Sequence, residues 1–97
     1  MPTYVSLLNF TDQGIRSVKE TIQRSDSAIE LAQQKYGGSL RTYWTVGAYD
    51  VVAILEAPDD ESATALFLEV GSRGAVRTTT LRAYDREEMS GIIQRLG

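Results

Sequence analysis

Two apolar segments flank a glycine in the middle of the chain, and this arrangement constrains the fold more than any other feature. Residues 40–45 precede Val46-Gly47-Ala48-Tyr49-Asp50, and the apolar residues 51–55 follow it. Gly47 can adopt the positive φ that a two-residue type II′ turn requires at its first central position. The pattern therefore predicts a β-hairpin with Gly47-Ala48 as its loop, and such a loop sets which residues pair across the two strands.

The composition argues against several classes of function. The 97 residues include no cysteine and no histidine, and the formal net charge is −3. Disulfides, thiolate metal sites and thiol catalysis are therefore excluded, and the commonest general base and metal ligand is missing. Because phosphate binding requires a basic patch, the acidic balance argues against a nucleic-acid partner. We expect neither a metal nor a cofactor.

The length and the hydropathy predict the setting in which the chain folds. A chain of 97 residues is expected to form one domain over residues 1–97, near the lower size at which a core is adequate. No apolar run approaches the roughly 20 residues that cross a bilayer. Residues 1–4 lack the basic and apolar segments of a signal peptide. We therefore expect a cytoplasmic protein with no membrane contact.

Two further strands and a long helix are predicted outside the hairpin. Residues 4–10 and 75–84 have the apolar and β-branched composition of strands. Between the first strand and the hairpin, apolar residues recur at spacings of three and four from Ile15 to Tyr36. This stripe predicts one helix from Thr11 or Asp12 to Gly37-Gly38, which could break at Ser25-Asp26.

Two shorter helices are indicated by their capping residues. Pro58 ends the hairpin, and Asp59 is a favourable N-cap for a helix that residues 71–74 terminate. Asp85 and Glu88 have the spacing of a capping box ahead of a last helix. Its apolar stripe consists of Met89, Ile92, Ile93 and Leu96.

The resulting order β-α-β-β-α-β-α favours one topology. With right-handed crossovers it predicts an α+β, ferredoxin-like βαββαβ fold with an extra C-terminal helix. The sheet would be antiparallel with helices on one face, and the first and third strands would be central. Those two strands are the most apolar, in agreement with this placement.

The hairpin register divides its side chains between two faces of the sheet. The predicted cross-strand pairs are Val46 with Tyr49, Thr45 with Asp50, Trp44 with Val51, and Tyr43 with Val52. The face expected under the helices holds Leu40, Thr42, Trp44, Val46, Tyr49, Val51, Ala53 and Leu55. The other face holds Arg41, Tyr43, Thr45, Asp50, Val52, Ile54 and Glu56.

The second face carries too much apolar area to remain in water. The last helix could fold across it, or a second copy of the chain could pack sheet to sheet. We favour the second copy, because two-fold dimers are the commonest soluble oligomers and a small domain gains most from extra burial. The expected partner is therefore the chain itself, as a homodimer or a higher assembly.

These residues resemble the GYD-domain family, named for its Gly-x-Tyr-Asp signature. The resemblance lies in Gly47-Ala48-Tyr49-Asp50, in residues 51–60 after it, and in residues 77–83 of the last strand. Phe10-Thr11 ahead of Gly14 fits as well, so the likeness covers nearly the whole chain. The resemblance implies a dimeric α/β-barrel form of the ferredoxin-like fold. It implies no reaction.

Asp50 and Arg77 are the first candidates for a functional site. On the second face, Asp50 could be a buried carboxylate that acts as a base or binds a polar ligand. Arg77 begins the last strand at the same end of the sheet, where it could hold an anionic group. For both residues we favour a structural role, with the carboxylate bound by turn amides or by an arginine.

Aromatic and hydroxyl side chains complete the candidate ligand site. Tyr43, Trp44 and Tyr49 could line a flat apolar pocket, although such clusters more often form core and interface packing. Thr79, within the threonine run of the last strand, could turn its hydroxyl toward a ligand. The predicted ligand-binding residues are Tyr43, Trp44, Tyr49, Asp50, Arg77 and Thr79, and no metal ligands are predicted.

The leading functional prediction is noncatalytic. We expect a small homo-oligomeric α/β-barrel protein that binds a small molecule or serves as a structural assembly module. The alternative is a cofactor-independent enzyme, oxygenase-like or isomerase-like, acting on a small organic substrate in the cavity between two sheets. Asp50 would then be the base, with Arg77 and Tyr43 positioning the substrate. No nucleophile–base pair is recognisable, so we favour the first hypothesis.

Overall fold

The strands form one antiparallel sheet in the order β2-β3-β1-β4 in the computed structural model, which describes residues 1–97. The first and third strands are therefore central, and the predicted ferredoxin-like order is confirmed. The strands are β1 (Thr3–Phe10), β2 (Ser39–Trp44), β3 (Val51–Glu56) and β4 (Val76–Ala83). The α-helices are α1 (Asp12–Arg16), α2 (Thr21–Gln34), α3 (Asp60–Ser72) and α4 (Arg86–Gln94), and a 3₁₀ turn spans Val18–Glu20.

Strand alternation sends one set of side chains toward the helices. In β1, Tyr4, Ser6 and Leu8 are buried, whereas the residues between them lie on the opposite face. Helices α2 and α3 contribute small and apolar residues above this set, including the fully buried Leu66. The core is therefore a single layer between the sheet and two helices; its buried apolar residues are Tyr4, Leu8, Ala28, Ala32, Leu40, Val51, Ala53, Leu55, Ala57, Ala63, Leu66 and Phe67.

The hairpin register is confirmed, but its tight turn is wrong. Tyr43 pairs with Val52 and Trp44 pairs with Val51. Beyond these pairs the chain leaves the ladder, and residues 45–50 form an irregular connection. Gly47 has φ +132°, far from the roughly +60° of a type II′ turn. Asp50 fixes the end of this connection on both sides, because its N–H donates to the Leu8 carbonyl of β1 and its carbonyl accepts from the Thr45 N–H, each at 2.9 Å, so residues 46–49 close a wider loop.

The irregular connection also corrects two predicted positions. Val46 was expected under the helices, yet its side chain is fully exposed. Tyr49 does not continue the helix-facing row of β3 either, because it precedes the strand and is only half-buried. The Thr45 hydroxyl donates to the Tyr49 carbonyl at 2.6 Å, and the Thr45 N–H donates to the Asp50 carbonyl at 2.9 Å. These bonds preserve the predicted Thr45–Asp50 pairing without strand geometry.

The single long helix predicted from Thr11 is also wrong. The chain turns between α1 and α2 around Ser17, and Ser25 lies inside α2 instead of breaking it. Two contacts hold α1 on the start of β4: the Thr11 N–H donates to the Ala75 carbonyl at 3.1 Å, and a Cβ on Gly14 would lie 1.9 Å from the same oxygen. A single straight helix could not keep these contacts with Ala75 and also pack over β2, so the chain forms two helices, α1 and α2, instead of one.

The predicted caps of the other helices are confirmed. Asp59 accepts a hydrogen bond from the Ser62 N–H at 2.7 Å and begins α3. Asp85 and Glu88 form a reciprocal capping box at the start of α4. Gly37 follows α2 with a left-handed φ of +66°. No helix of the protein has the length and apolar character needed to cross a bilayer.

Candidate interaction surface

The face of the sheet away from the helices, here called the open face, carries a continuous apolar centre. The register aligns Val5 of β1 with Ile54 of β3 and Leu81 of β4, and aligns Leu7 with Val52. Tyr43 extends the second row on β2. All four strands therefore contribute to one patch, consisting of Val5, Leu7, Tyr43, Val52, Ile54 and Leu81.

No element of the chain covers the open face. Tyr43 is 51% exposed and Leu81 is 49% exposed, although both flank the centre of the patch. Helix α4 has no buried residue and packs closely against no other element. The molecule measures 52 × 31 × 17 Å, and the shortest dimension leaves no room for a third layer. The first option from the sequence, in which the last helix folds across this face, is therefore wrong.

The shape of the isolated chain confirms that much surface is left in water. The accessible area is 6455 Å², roughly a sixth above the about 5500 Å² expected for a monomer of 10.7 kDa. The radius of gyration is 14.5 Å, compared with about 12.5 Å expected for this length. Both excesses come from a thin two-layer body and a projecting α4.

Charged side chains of both signs border the apolar centre. Arg41 lies beside Ile54 on the β2 edge, and Arg77 lies beside Asn9 on the β4 edge. Glu56 pairs with Thr3 at the far end of the same face. Neither Arg41, Arg77 nor Glu56 takes part in an ion pair within the chain. The border is therefore available to pair with charges of another molecule.

Asp50 lies at one end of the open face and is engaged with the backbone of β1. Its carboxylate Oδ2 accepts a hydrogen bond from the Phe10 N–H at 2.9 Å, and its own N–H donates to the Leu8 carbonyl at 2.9 Å. Asp50 directly precedes the first residue of β3, so its carboxylate takes the place of the strand carbonyl that Phe10 would otherwise meet. The geometry gives Asp50 a structural task; its catalytic role stays a prediction.

The other candidate residues do not share one surface. Tyr43, Arg77 and Thr79 lie on the open face, with Tyr43 and Thr79 in the same row but on opposite edge strands. Three strand spacings, roughly 14 Å, separate the backbones of Tyr43 and Thr79. Trp44 lies on the helix side, where its Nε1 donates to the Thr21 hydroxyl at 3.0 Å. A ligand touching all of them would have to reach around the sheet edge.

Several apolar residues of the open face were not predicted from the sequence. Val5, Leu7 and Leu81 were not singled out, because the faces were assigned from the hairpin alone. The alternation of β1 was the available signal, since Thr3, Val5, Leu7 and Asn9 occupy every second position.

A polar cluster on the helix side had no sequence signal, since its members are far apart in the chain. The Tyr4 hydroxyl donates to the Asp60 carboxylate, and the Arg82 guanidinium lies 5.7 Å from the centre of the Tyr4 ring. Arg82 also pairs with Glu88 at 3.2 Å and thereby ties the start of α4 to β4. Burial and the hydrogen bond to Asp60 raise the pKa of Tyr4 to about 12. Tyr4 therefore stays neutral and serves as a structural donor.

Known proteins similar to this chain share its length and fold. It is 31% identical over 84 residues to the "Glutamine synthetase and cystathionine beta-lyase binding protein" of Thermus thermophilus, a match covering 86% of this chain and 88% of that protein.

Among solved structures, TTHA0845 from Thermus thermophilus superposes with a TM-score of 0.61 at 25% identity, covering 89% of this chain and all of the other. At3g17210 from Arabidopsis thaliana gives a TM-score of 0.58 at 12% identity over 88% of this chain and 95% of the other, a likeness of fold alone. The family model described as "GYD domain" matches residues 4–93. By this match, which spans the sheet, both packed helices and most of α4, the chain belongs to the GYD-domain family.

Proposed function

We propose that this protein is a noncatalytic protein-binding module that assembles as a two-fold dimer through the open face of its sheet. The observation that carries the proposal is the apolar centre contributed by all four strands, which no part of the chain covers. A monomer that kept this patch in water would forgo a large hydrophobic stabilisation. A second copy supplies a surface of matching size and character.

The dimensions of the open face suit a dimer interface. Strands of up to 8 residues and a width of four strands define a face of roughly 26 by 19 Å, or about 500 Å² in flat projection. The accessible area of side chains on such a face exceeds the flat projection. It therefore approaches the about 800 Å² per partner that stable interfaces bury.

The charges around the patch favour a second copy over an unrelated surface. In a two-fold interface each subunit presents the same patch, so a border with both signs can pair with itself. Arg41 and Glu56 lie at neighbouring positions on the two strands of the hairpin, and neither has an ion-pair partner within the chain. Rotation of one copy about the two-fold axis can set Glu56 of each against Arg41 of the other.

The further partners of the dimer are proposed to be enzymes. The Thermus thermophilus relative is named as a protein that binds glutamine synthetase and cystathionine beta-lyase. In this chain one carboxylate oxygen of Asp50, the proposed base of the enzyme alternative, accepts a hydrogen bond from the Phe10 N–H at 2.9 Å. These observations favour recognition of other proteins over chemistry on a substrate.

The dimer is tested by placing a charge at the centre of the open face. Analytical ultracentrifugation should show wild-type protein at twice the chain mass of 10.7 kDa, and Leu7→Lys at the single-chain mass, since a buried charge at the interface is strongly unfavourable. Val46→Lys, at a fully exposed loop position, is the matched control and should remain dimeric. Circular dichroism establishes that both variants are folded. A monomeric wild type, or a dimeric Leu7→Lys, would refute the interface.

The enzyme partners are tested separately. Calorimetric titration of the dimer with glutamine synthetase and cystathionine beta-lyase from its own organism should show saturable binding of at least one enzyme. Absence of binding to both would refute this half of the proposal and leave the dimer untouched.

A further inference from the structure

A small cavity lies between the sheet and helices α2 and α3, on the side opposite the open face. Its volume is about 80 Å³, and 11 of its 16 lining residues are hydrophobic. The floor is formed by helix-facing residues of the sheet, among them Leu8 and Val51, and the roof includes Ala28 of α2 and Phe67 of α3. Trp44 lines one end. Protein interiors hold few voids larger than a water molecule, so a cavity of this size is a candidate binding site for a small ligand.

The charges that line the cavity all have one sign. Arg24 and Arg73 are the only charged residues among its 16 lining residues, although the chain as a whole has a net charge of −3. Their ion pairs within the chain are long: Glu20 lies 3.8 Å from Arg24, and Glu69 lies 3.9 Å from Arg73. Glu69 is moreover shared with Lys35 at 2.9 Å. The cavity is therefore a local positive site beside an apolar space.

Both guanidinium groups are held in place and keep free donors. Arg24 donates through Nη1 to the Ser17 carbonyl and hydroxyl at 3.0 and 3.1 Å, and through Nη2 to the Gly14 carbonyl at 3.3 Å. Arg73 donates through Nη1 to the Ser27 hydroxyl at 3.0 Å. A guanidinium has five N–H donors, so each arginine can still bind an acceptor. Planar guanidinium groups match carboxylates in particular.

We propose that this cavity binds a small monocarboxylate, with its apolar tail between α2 and the sheet and its carboxylate on Arg24 and Arg73. A cavity of about 150 Å³ binds the six carbons of benzene, so a volume of about 80 Å³ accommodates a tail of roughly three carbons. Butyrate has this size. The site is independent of the proposed dimer, because its lining residues point to the other side of the sheet.

The chain carries its own reporter for the test. Trp44 is the single tryptophan and lines the cavity, so its fluorescence should change saturably on ligand binding. The probes are sodium acetate, propionate, butyrate, pentanoate and hexanoate, with butylamine and butanol as charge controls. The dissociation constant should fall about four-fold for each methylene up to butyrate and then level. Butanol should bind about ten-fold more weakly than butyrate, since its hydroxyl carries no negative charge and cannot form the bidentate pair that a carboxylate forms with a guanidinium.

Two variants locate the binding. Arg73→Gln should weaken butyrate binding about ten-fold, and Ala28→Leu, which fills the space, should abolish the saturable change. Glu30→Gln, on the exposed side of α2, is the matched control and should bind as wild type. Circular dichroism checks the fold of each variant. The proposal is overturned if no carboxylate gives saturation, if butylamine binds as well as butyrate, or if both Arg73→Gln and Ala28→Leu bind unchanged. Sedimentation of the same samples reports the dimer separately.

Discussion

Replacement of Asp50 tests whether the acid that follows the hairpin connection is structural. In Asp50→Ala the Phe10 N–H loses the carboxylate oxygen that lies 2.9 Å away, while the backbone bond from the Asp50 N–H to the Leu8 carbonyl can persist. Both residues are only partly exposed, so water replaces the lost acceptor incompletely. We therefore expect a clear loss of stability with the fold retained.

The magnitude follows from the type of hydrogen bond. A bond to a charged group contributes about 1.5–3 kcal/mol, and partial access of water places this one near the lower end, at about 1.5–2 kcal/mol. For a chain of this length that loss lowers the melting temperature by roughly 6–16 °C. Asp50→Asn retains an acceptor oxygen without the charge and should lose about half as much, since charge-assisted bonds are about twice as strong as neutral ones.

The assay is urea unfolding followed by circular dichroism at one fixed protein concentration. The midpoint should fall in Asp50→Ala while the slope of the transition stays unchanged, because the surface exposed on unfolding is the same. Asp26→Ala is the matched control, since Asp26 is exposed on α2 and forms no ion pair or hydrogen bond. If Asp50→Ala unfolds at the same urea concentration as Asp26→Ala, the structural role assigned to Asp50 is wrong.

Two other predictions concern packing and titration. Gly14→Ala should destabilise the protein by about 1–3 kcal/mol through overpacking, since a Cβ would lie 1.9 Å from the Ala75 carbonyl oxygen. The control is Gly91→Ala, where a Cβ on α4 would meet open space. In thermal unfolding this control should stabilise the protein by about 0.5–1 kcal/mol. Equal effects would refute the close approach of α1 to β4. Because the pKa of Tyr4 is raised from 10.0 to about 12, the fold favours neutral Tyr4; this stabilisation is complete below pH 10.0 and is lost as the pH rises through about 12. Tyrosinate absorbance should show a step near pH 12 that Tyr4→Phe lacks, and an unchanged titration in Tyr4→Phe would contradict the assignment.

Local physics in the sequence was sufficient for the four strands, for α3 and α4, and for the caps of these helices. Asp59 and the Asp85–Glu88 pair begin helices because the N–H groups of the first helical turn lack backbone acceptors. A side-chain oxygen at the N-cap accepts from the N–H three residues later and so stabilises the helix start. The strand order also followed, because short connections and right-handed crossovers leave few arrangements of βαββαβ. The register predicted from the Gly47-Ala48 loop held although the tight turn did not form, because the hydrogen bond between the Thr45 N–H and the Asp50 carbonyl keeps the same residues opposite each other.

The failures occurred where a distant residue competes with a local preference. Gly47 permits a tight turn, but the hydrogen bonds of Asp50 to β1 and to Thr45 fix the ends of a wider connection instead. Ile15 and Ile22 continue a helical stripe, yet the anchor of α1 on Ala75 redirects the chain and leaves both side chains exposed. The residues that make these contacts lie some 40 to 60 positions apart in the sequence, whereas periodicity reports only on neighbouring residues.

The amino-acid sequence by itself determined the four strands, the helices α3 and α4, and that the sheet has a face the helices leave apolar, because propensity, capping and alternation act over a few residues. Only the tertiary structure decided that α4 stays off this face, that the carboxylate of Asp50 is engaged by the backbone of β1, and that Arg24 of α2 and Arg73 after α3 line one cavity. These outcomes depend on how whole elements pack, and packing is settled by contacts between residues that are far apart along the chain.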